Sequence, residues 1–173
     1  GLSRMDERET ILGGRLGAAS GGGGNATTTF ADVEARHDFG AGIVASANAR
    51  RGWTGFAGGS FRTAAYSIDV QRRGIFNSTD VIGFRIAQPL RVESGGLSLM
   101  LPTAYDYATQ TATNTREFLA LTPSGREVDA ELSYSTGLFS GWLSGNMYVR
   151  RQPGHIASAD NDYGAAVRYR LKF

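Results

Sequence analysis

His37 and His155 are the only imidazoles in a chain of 173 residues that contains no cysteine. They are therefore the first places to look for acid–base or metal chemistry. His155 lies in "RRQPGHIASAD", where Pro153 and Gly154 shape a loop. There Arg150 and Arg151 could bind an anion, and Asp160 and Asp162 could approach the ring. One His and two Asp make a weak metal set here, because a flexible loop does not hold them in the fixed geometry that zinc wants. His37 sits near the end of an alternating run, where a boundary position accounts for it better than catalysis. Neither is accompanied by the Gly-Thr-Ser nucleophile or the His and Asp motifs of a subtilisin-type triad. The chain is read as having no catalytic residue, no cofactor site and no metal site, with His155 a structural loop residue.

The other chemistry-bearing side chains are charges of both signs in the middle of alternating segments. They are Glu34, Arg36, Asp69, Arg85, Asp129, Glu131, Arg150, Arg168 and Arg170. What positions them is a period of two that recurs along the whole chain, while the 3.6 period of helices is almost absent. Ala31, Val33, Ala35 and Phe39 oppose Asp32, Glu34, Arg36 and Asp38. Ala64, Tyr66, Ile68 and Val70 oppose Ser67, Asp69 and Gln71. Ile82, Phe84 and Ile86 oppose Gly83 and Arg85, and Val128, Ala130, Leu132 and Tyr134 oppose Asp129, Glu131 and Ser133. The same holds at the end, where Tyr163, Ala165, Val167, Tyr169, Leu171 and Phe173 alternate with Gly164, Ala166, Arg168, Arg170 and Lys172.

These runs are longer than the five or six residues usual in soluble strands and match the 9 to 11 of a tilted membrane strand. Between them stand turn-like connections, "DFGA", "GIFNST", "ESGG", "TPSG" and "STGL". "GLSRMDERE" (1–9) reads as a linker or short helical lead-in, with a first strand at about Thr10 to Gly17. "DYATQTATNT" (106–115) is either a large loop or a hairpin. The expected fold is an all-β, antiparallel up-and-down barrel over residues 10–173 with eight to ten strands, ten preferred, alone or within a twelve-strand barrel.

Composition agrees. Glycine is abundant (24) and proline scarce (4), which suits strands, turns and close backbone approach. Mean hydropathy of −0.24 is that of a soluble protein, but a lipid-embedded barrel averages to the same value because it alternates. No apolar run approaches the roughly 20 residues of a spanning helix. Net charge is +2 without a basic block, so nucleic acid is not an expected partner.

Two environments suit the alternation. A soluble barrel turns the apolar face inward, whereas a membrane barrel turns it to lipid and lines its lumen with the charged row. Abundant Ala on the apolar side and aromatics near strand ends favour lipid, with the nine charges above as lumen-lining residues.

Two resemblances sharpen this. The last residues, with Asp162, Gly164, Val167, Tyr169, Leu171 and Phe173, resemble the outer-membrane β-signal. That likeness implies recognition of the final strand by the barrel-assembly machinery. Residues 79–173 also resemble the C-terminal autotransporter-like region of alphaproteobacterial subtilisin-like (S8) serine peptidases. The likeness is carried by Arg85, Gln88, Pro89, Leu90, Arg91, Pro102, Gly125, Arg126, Glu127, Pro153, Gly154 and His155. It implies a non-enzymatic translocator or anchor in a Gram-negative outer membrane, serving an N-terminal passenger of the same polypeptide, with lipid and the assembly machinery as partners. The alternatives are a free-standing outer-membrane barrel (structural, adhesive or lipid-modifying) and a soluble β-barrel binding protein.

Overall fold

A computed structural model describes residues 1–14 and 25–171. It consists of nine β-strands: β1 (Leu2–Arg8), β2 (Asn25–Gly40), β3 (Ile43–Phe56), β4 (Gly59–Arg73), β5 (Val81–Asp106), β6 (Thr111–Ala120), β7 (Val128–Leu138), β8 (Gly141–Arg151) and β9 (Asp162–Leu171). The only helical element among the described residues is a 3-10 turn, Pro153–His155. Eight strands follow one path in the order β1-β2-β3-β4-β5-β7-β8-β9, and β6 branches off by pairing with β5. The sheet is antiparallel and open among the described residues, since β9 pairs only with β8.

The ninth strand arises because β5 is 26 residues long and uses one edge twice. Ala87 to Val81 pair with β7, and Gly96 to Asp106 pair with β6. The expected turn at "ESGG" is therefore absent: Gly95, at φ +103°, lets the strand bend and continue. A Cβ there would sit 2.3 Å from Ser60 O, so the backbone needs glycine to pass. The Thr-rich stretch after Tyr105 is a hairpin rather than a large loop.

The charged lead-in also differs from expectation. Residues 2–8 form β1, because each pairs with a residue of Asn25–Ala31 and Thr27 Oγ1 donates to Asp6 at 2.7 Å. The first strand was expected at 10–17. Instead Glu7 accepts the amides of Leu12 and Gly13 at 2.6 and 2.8 Å and closes residues 10–14 into a tight turn. Residues 15–17 of that expectation lie outside the described residues.

The chain packs as two compact units. The first comprises Gly1–Ala31, Arg51–Ala64 and Val92–Thr122; the second Asp32–Arg50, Ala65–Arg91 and Pro123–Phe173. The first has a small interior built on Ala26, Phe61 and Leu97, with Thr28 and Thr54 hydrogen-bonded at 2.9 Å.

The second unit is organised the other way round. Among the described residues it buries no hydrophobic side chain; what it buries is Ser67, Asp80, Gln88, Arg91, Glu127, Thr136 and His155. Cross-strand register explains how. Phe84, Leu132, Met147 and Ala165 form one row across β5, β7, β8 and β9, and Ile86, Ala130, Val149 and Tyr163 the next. On the opposite side run Arg85, Glu131, Tyr148 and Gly164, then Ala87, Asp129, Arg150 and Asp162.

The β4–β5 connection is held by one carboxylate. Asp80 accepts the amides of Ile75, Phe76 and Asn77 at 2.8, 2.7 and 3.2 Å. Asn77 and Thr79 then tie the turn to the end of β7, through Thr136 Oγ1 at 3.0 Å and the Gly137 amide at 3.1 Å. Burial opposes ionisation of Asp80, but the surrounding amides outweigh it and hold its pKa below the ordinary 3.8. A lowered pKa stabilises the fold above the unfolded value, and that stability is lost as pH falls through the folded one. Asp80→Asn is therefore expected to lower the thermal midpoint by several degrees at pH 7. The gap should close as the buffer is taken below about pH 3.8, and a gap that persists in acid would assign the effect to something other than the charge.

Candidate functional site

At one end of the second unit three separate stretches converge on a buried polar knot. They are the irregular part of β5 (88–91), the β6–β7 connection (123–127) and the β8–β9 connection (152–157). Pro89 interrupts the alternation of β5, since proline cannot donate to a ladder, and Gln88 and Arg91 turn inward. Arg91 donates from Nε to Gly125 O at 2.9 Å and from Nη2 to Pro123 O at 3.1 Å. Arg126 donates to the Gln88 side chain, and its amide donates to Gln152 Oε1 at 2.8 Å.

His155 is the centre of this knot. Its Nδ1 accepts the Glu127 amide at 2.9 Å, and its Nε2 faces Leu90 O at 3.1 Å. The pair of contacts fixes the tautomer: Nδ1 is the acceptor, so the ring proton is on Nε2 and is donated to Leu90. Glu127 returns the contact by accepting the Gly154 amide at 2.6 Å, and the Gly125 amide donates to His155 O at 2.7 Å. The backbone is bent to achieve this, with Gln152, Gly154 and His155 at φ +53°, +69° and +59°. Positive φ at a histidine is uncommon and costs energy that the four contacts must offset. Gly125 is required for closeness, because a Cβ would stand 2.6 Å from Ala157 N.

Both ring nitrogens of His155 are occupied by backbone, and Asp162 lies against Arg150 at 3.6 Å. His37 packs edge-on against Phe39 at 4.5 Å near the end of β2, on the apolar side.

The expected lumen residues share one face. Glu34, Arg85, Asp129 and Glu131 line a cavity of about 630 Å3 of mixed character, together with Asp32, Arg50, Ser67 and Gln88 and with the apolar Val33, Ala65, Tyr66 and Pro89. Arg85 reaches Asp69 at 3.6 Å, and Asn146 donates to Glu131 at 2.9 Å. Arg150, Arg168 and Arg170 stand on the same side of β8 and β9 by register, and Arg36 follows two residues after Glu34 on β2.

Of the β-signal residues, Val167, Tyr169 and Leu171 are on the apolar side of β9, and Gly164 is on the charged side. Gly164 has a local reason: it lies opposite Tyr148, and a Cβ would stand 2.9 Å from that ring. Arg150 in turn covers the ring at 4.8 Å. Phe173 lies outside the described residues.

Sequence reasoning singled out Gln88, Arg91 and Glu127 only as carriers of the family likeness and gave them no structural role. The available signal was the break in alternation at "AQPLRV" and the left-handed "QPGH" bend, but neither says which distant segment will close on it.

No protein-family model, no curated protein and no solved structure matches the chain.

Replacing His155 with Ala leaves a buried amide and a carbonyl without partners, at a cost of about 1–3 kcal/mol. His155→Asn, which tolerates positive φ and can offer an acceptor in place of Nδ1, should recover part of that. Urea unfolding of the three proteins measures it, and an Ala variant equal to the parent would show that the knot does not depend on this ring.

Proposed function

We propose that this chain is a membrane β-barrel domain of a Gram-negative outer membrane, acting as translocator or anchor for an N-terminal passenger of the same polypeptide. The single observation that carries the membrane part is the inversion of the second unit. Its buried side chains are polar, while Phe84, Leu132, Met147, Tyr163 and Val167 are exposed on one continuous face. In water such a face would be a large uncovered apolar patch, which soluble proteins avoid. In lipid it is the required exterior, and the opposite face, with its ion pairs and cavity, is the required hydrated interior. Two apolar grooves of about 530 Å3 each cross the exposed face, one over Leu132 and Val167, the other over Phe84 and Tyr163, and both fit acyl chains. Asp129 Oδ1, buried without a protein partner, suits a water-filled lumen, where ordered water would satisfy it.

Closure follows from the same reading, because an open sheet edge is not tolerated in hydrocarbon. The β-signal residues of β9 support delivery by the barrel-assembly machinery. The passenger, and its identity as a subtilisin-like peptidase, rest on the likeness of residues 79–173. The domain itself works by physical means: lipid holds the outer face, and the polar lumen gives an unfolded segment a hydrated path. A barrel this narrow is largely filled by its own side chains, so transit takes place before the final seam closes.

The two faces respond oppositely to one added charge. Leu132→Arg places a guanidinium on the apolar face, costing about 2–4 kcal/mol near the bilayer midplane. Ser133→Arg places it on the charged face. In cells making the full polypeptide, Leu132→Arg should deplete the protein from outer-membrane fractions and its upstream part from the cell surface, while Ser133→Arg should not. Recovery of Leu132→Arg at parental levels, or of the parent in detergent-free soluble fractions, would contradict the membrane assignment.

A further inference from the structure

The second unit contains seven strand stretches in the order β2, β3, β4, β5, β7, β8, β9. Neighbours are antiparallel, by tight connections between β2 and β5 and by register from β5 to β9. Direction reverses six times, so β2 and β9 run the same way. Two such edges cannot join into an antiparallel barrel; an odd number of further strands must lie between them, and the smallest is one.

β1 already holds the beginning of that strand. Its ladder with β2 runs from Arg8 opposite Asn25 back to Leu2 opposite Ala31. Continued in register, Gly1 falls opposite Asp32. The remaining eight residues of β2, Val33 to Gly40, then face the eight residues that precede Gly1 in a longer polypeptide. Among the described residues no strand pairs with that edge of β2 or with the outer edge of β9. The most exposed apolar side chains of these rows lie on the two edges: Val33 and Phe39 of β2 are 69% and 65% exposed and Tyr163 and Val167 of β9 78% and 79%, while Tyr169 and Leu171 further along β9, at 42% and 49%, match the 40% to 57% of Phe84, Leu132, Met147, Val149 and Ile68 between the edges.

We infer that the residues directly before Gly1 continue β1 along Val33–Gly40 and pair on their other side with β9, as the eighth strand that closes the second unit. The inference rests on the reading of the chain as a membrane barrel with polypeptide upstream. A covalent continuation is favoured over a second copy because its register is set by β1 and it loses no translational freedom on docking. It also fixes a sequence pattern. The first, third, fifth and seventh residues before Gly1 lie beside Val33, Ala35, His37 and Phe39 and are apolar. The second, fourth and sixth lie beside Glu34, Arg36 and Asp38 and are polar.

The absence of native cysteine makes the register directly testable in the full polypeptide. Ala35→Cys is combined with a cysteine at the third residue before Gly1, and His37→Cys with one at the fifth. Directly opposed residues in an antiparallel pair meet disulfide geometry. Mild oxidation of the assembled protein should give an intramolecular bond for both pairs, about tenfold more than for partners shifted by one residue to the other face. Having two independent pairs keeps the result readable if one variant fails to assemble. Membrane-inserted protein without either bond would overturn the inference and leave the membrane reading standing, as would bonds only between two copies. The bonds formed in soluble protein would uphold the eighth strand and sink the membrane reading. An upstream sequence without the alternation would also overturn the inference.

Discussion

A β-strand sends successive side chains to opposite sides, so a sheet that alternates apolar and charged residues must satisfy two different surroundings at once. A soluble protein does so by burying one side. The second unit of this chain does not: Phe84, Leu132 and Met147 look outward, and the interior is left to Gln88, Arg91, Glu127 and His155. Every other feature depends on that inversion. Ala130 and Ala165 stand in the same outward rows, in register with Ile86 and Val149 and with Met147. On the opposite, charged side, charges of both signs stand across from one another, as Asp69 and Arg85 or Arg150 and Asp162 do.

An interior of this kind has little hydrophobic packing to define it, so hydrogen bonds take over that role. A buried polar group left without a partner costs more than a satisfied one gains, which makes a fully connected knot specific as well as stabilising. His155 illustrates the trade. Its backbone sits at a disfavoured positive φ, and in return one ring joins Leu90 of β5 to the Glu127 amide while its carbonyl receives Gly125. The loops between strands are thereby held at that end, where connections would otherwise be the most mobile part of the sheet.

Much of this was legible in the sequence because period two is local information. The faces of β4, β7, β8 and β9 can be read from three or four neighbours, and the charged row from Glu34 to Arg170 falls on one side as the alternation requires. Misreadings came where a distant partner decided. Leu2–Arg8 has the composition of a helical start, yet the ladder offered by Asn25–Ala31 makes it a strand. "ESGG" has turn chemistry, yet close passage beside Ser60 uses its glycines to continue β5. The convergence of Gln88, Glu127 and His155 spans 65 residues between His155 and Leu90, a pairing that no local pattern encodes.

The central claim is that the outward apolar face of the second unit meets lipid and the charged face meets water. Spin labels on single cysteines through Ala130–Tyr134 and Gly145–Val149 test it most directly, by comparing collisions with oxygen, which concentrates in the bilayer, and with a water-soluble nickel complex. The account predicts a strict two-residue alternation: oxygen access at Ala130, Leu132, Met147 and Val149, and nickel access at Glu131, Ser133, Asn146 and Tyr148. Uniform nickel access along both strands, or an alternation of opposite phase, would contradict it.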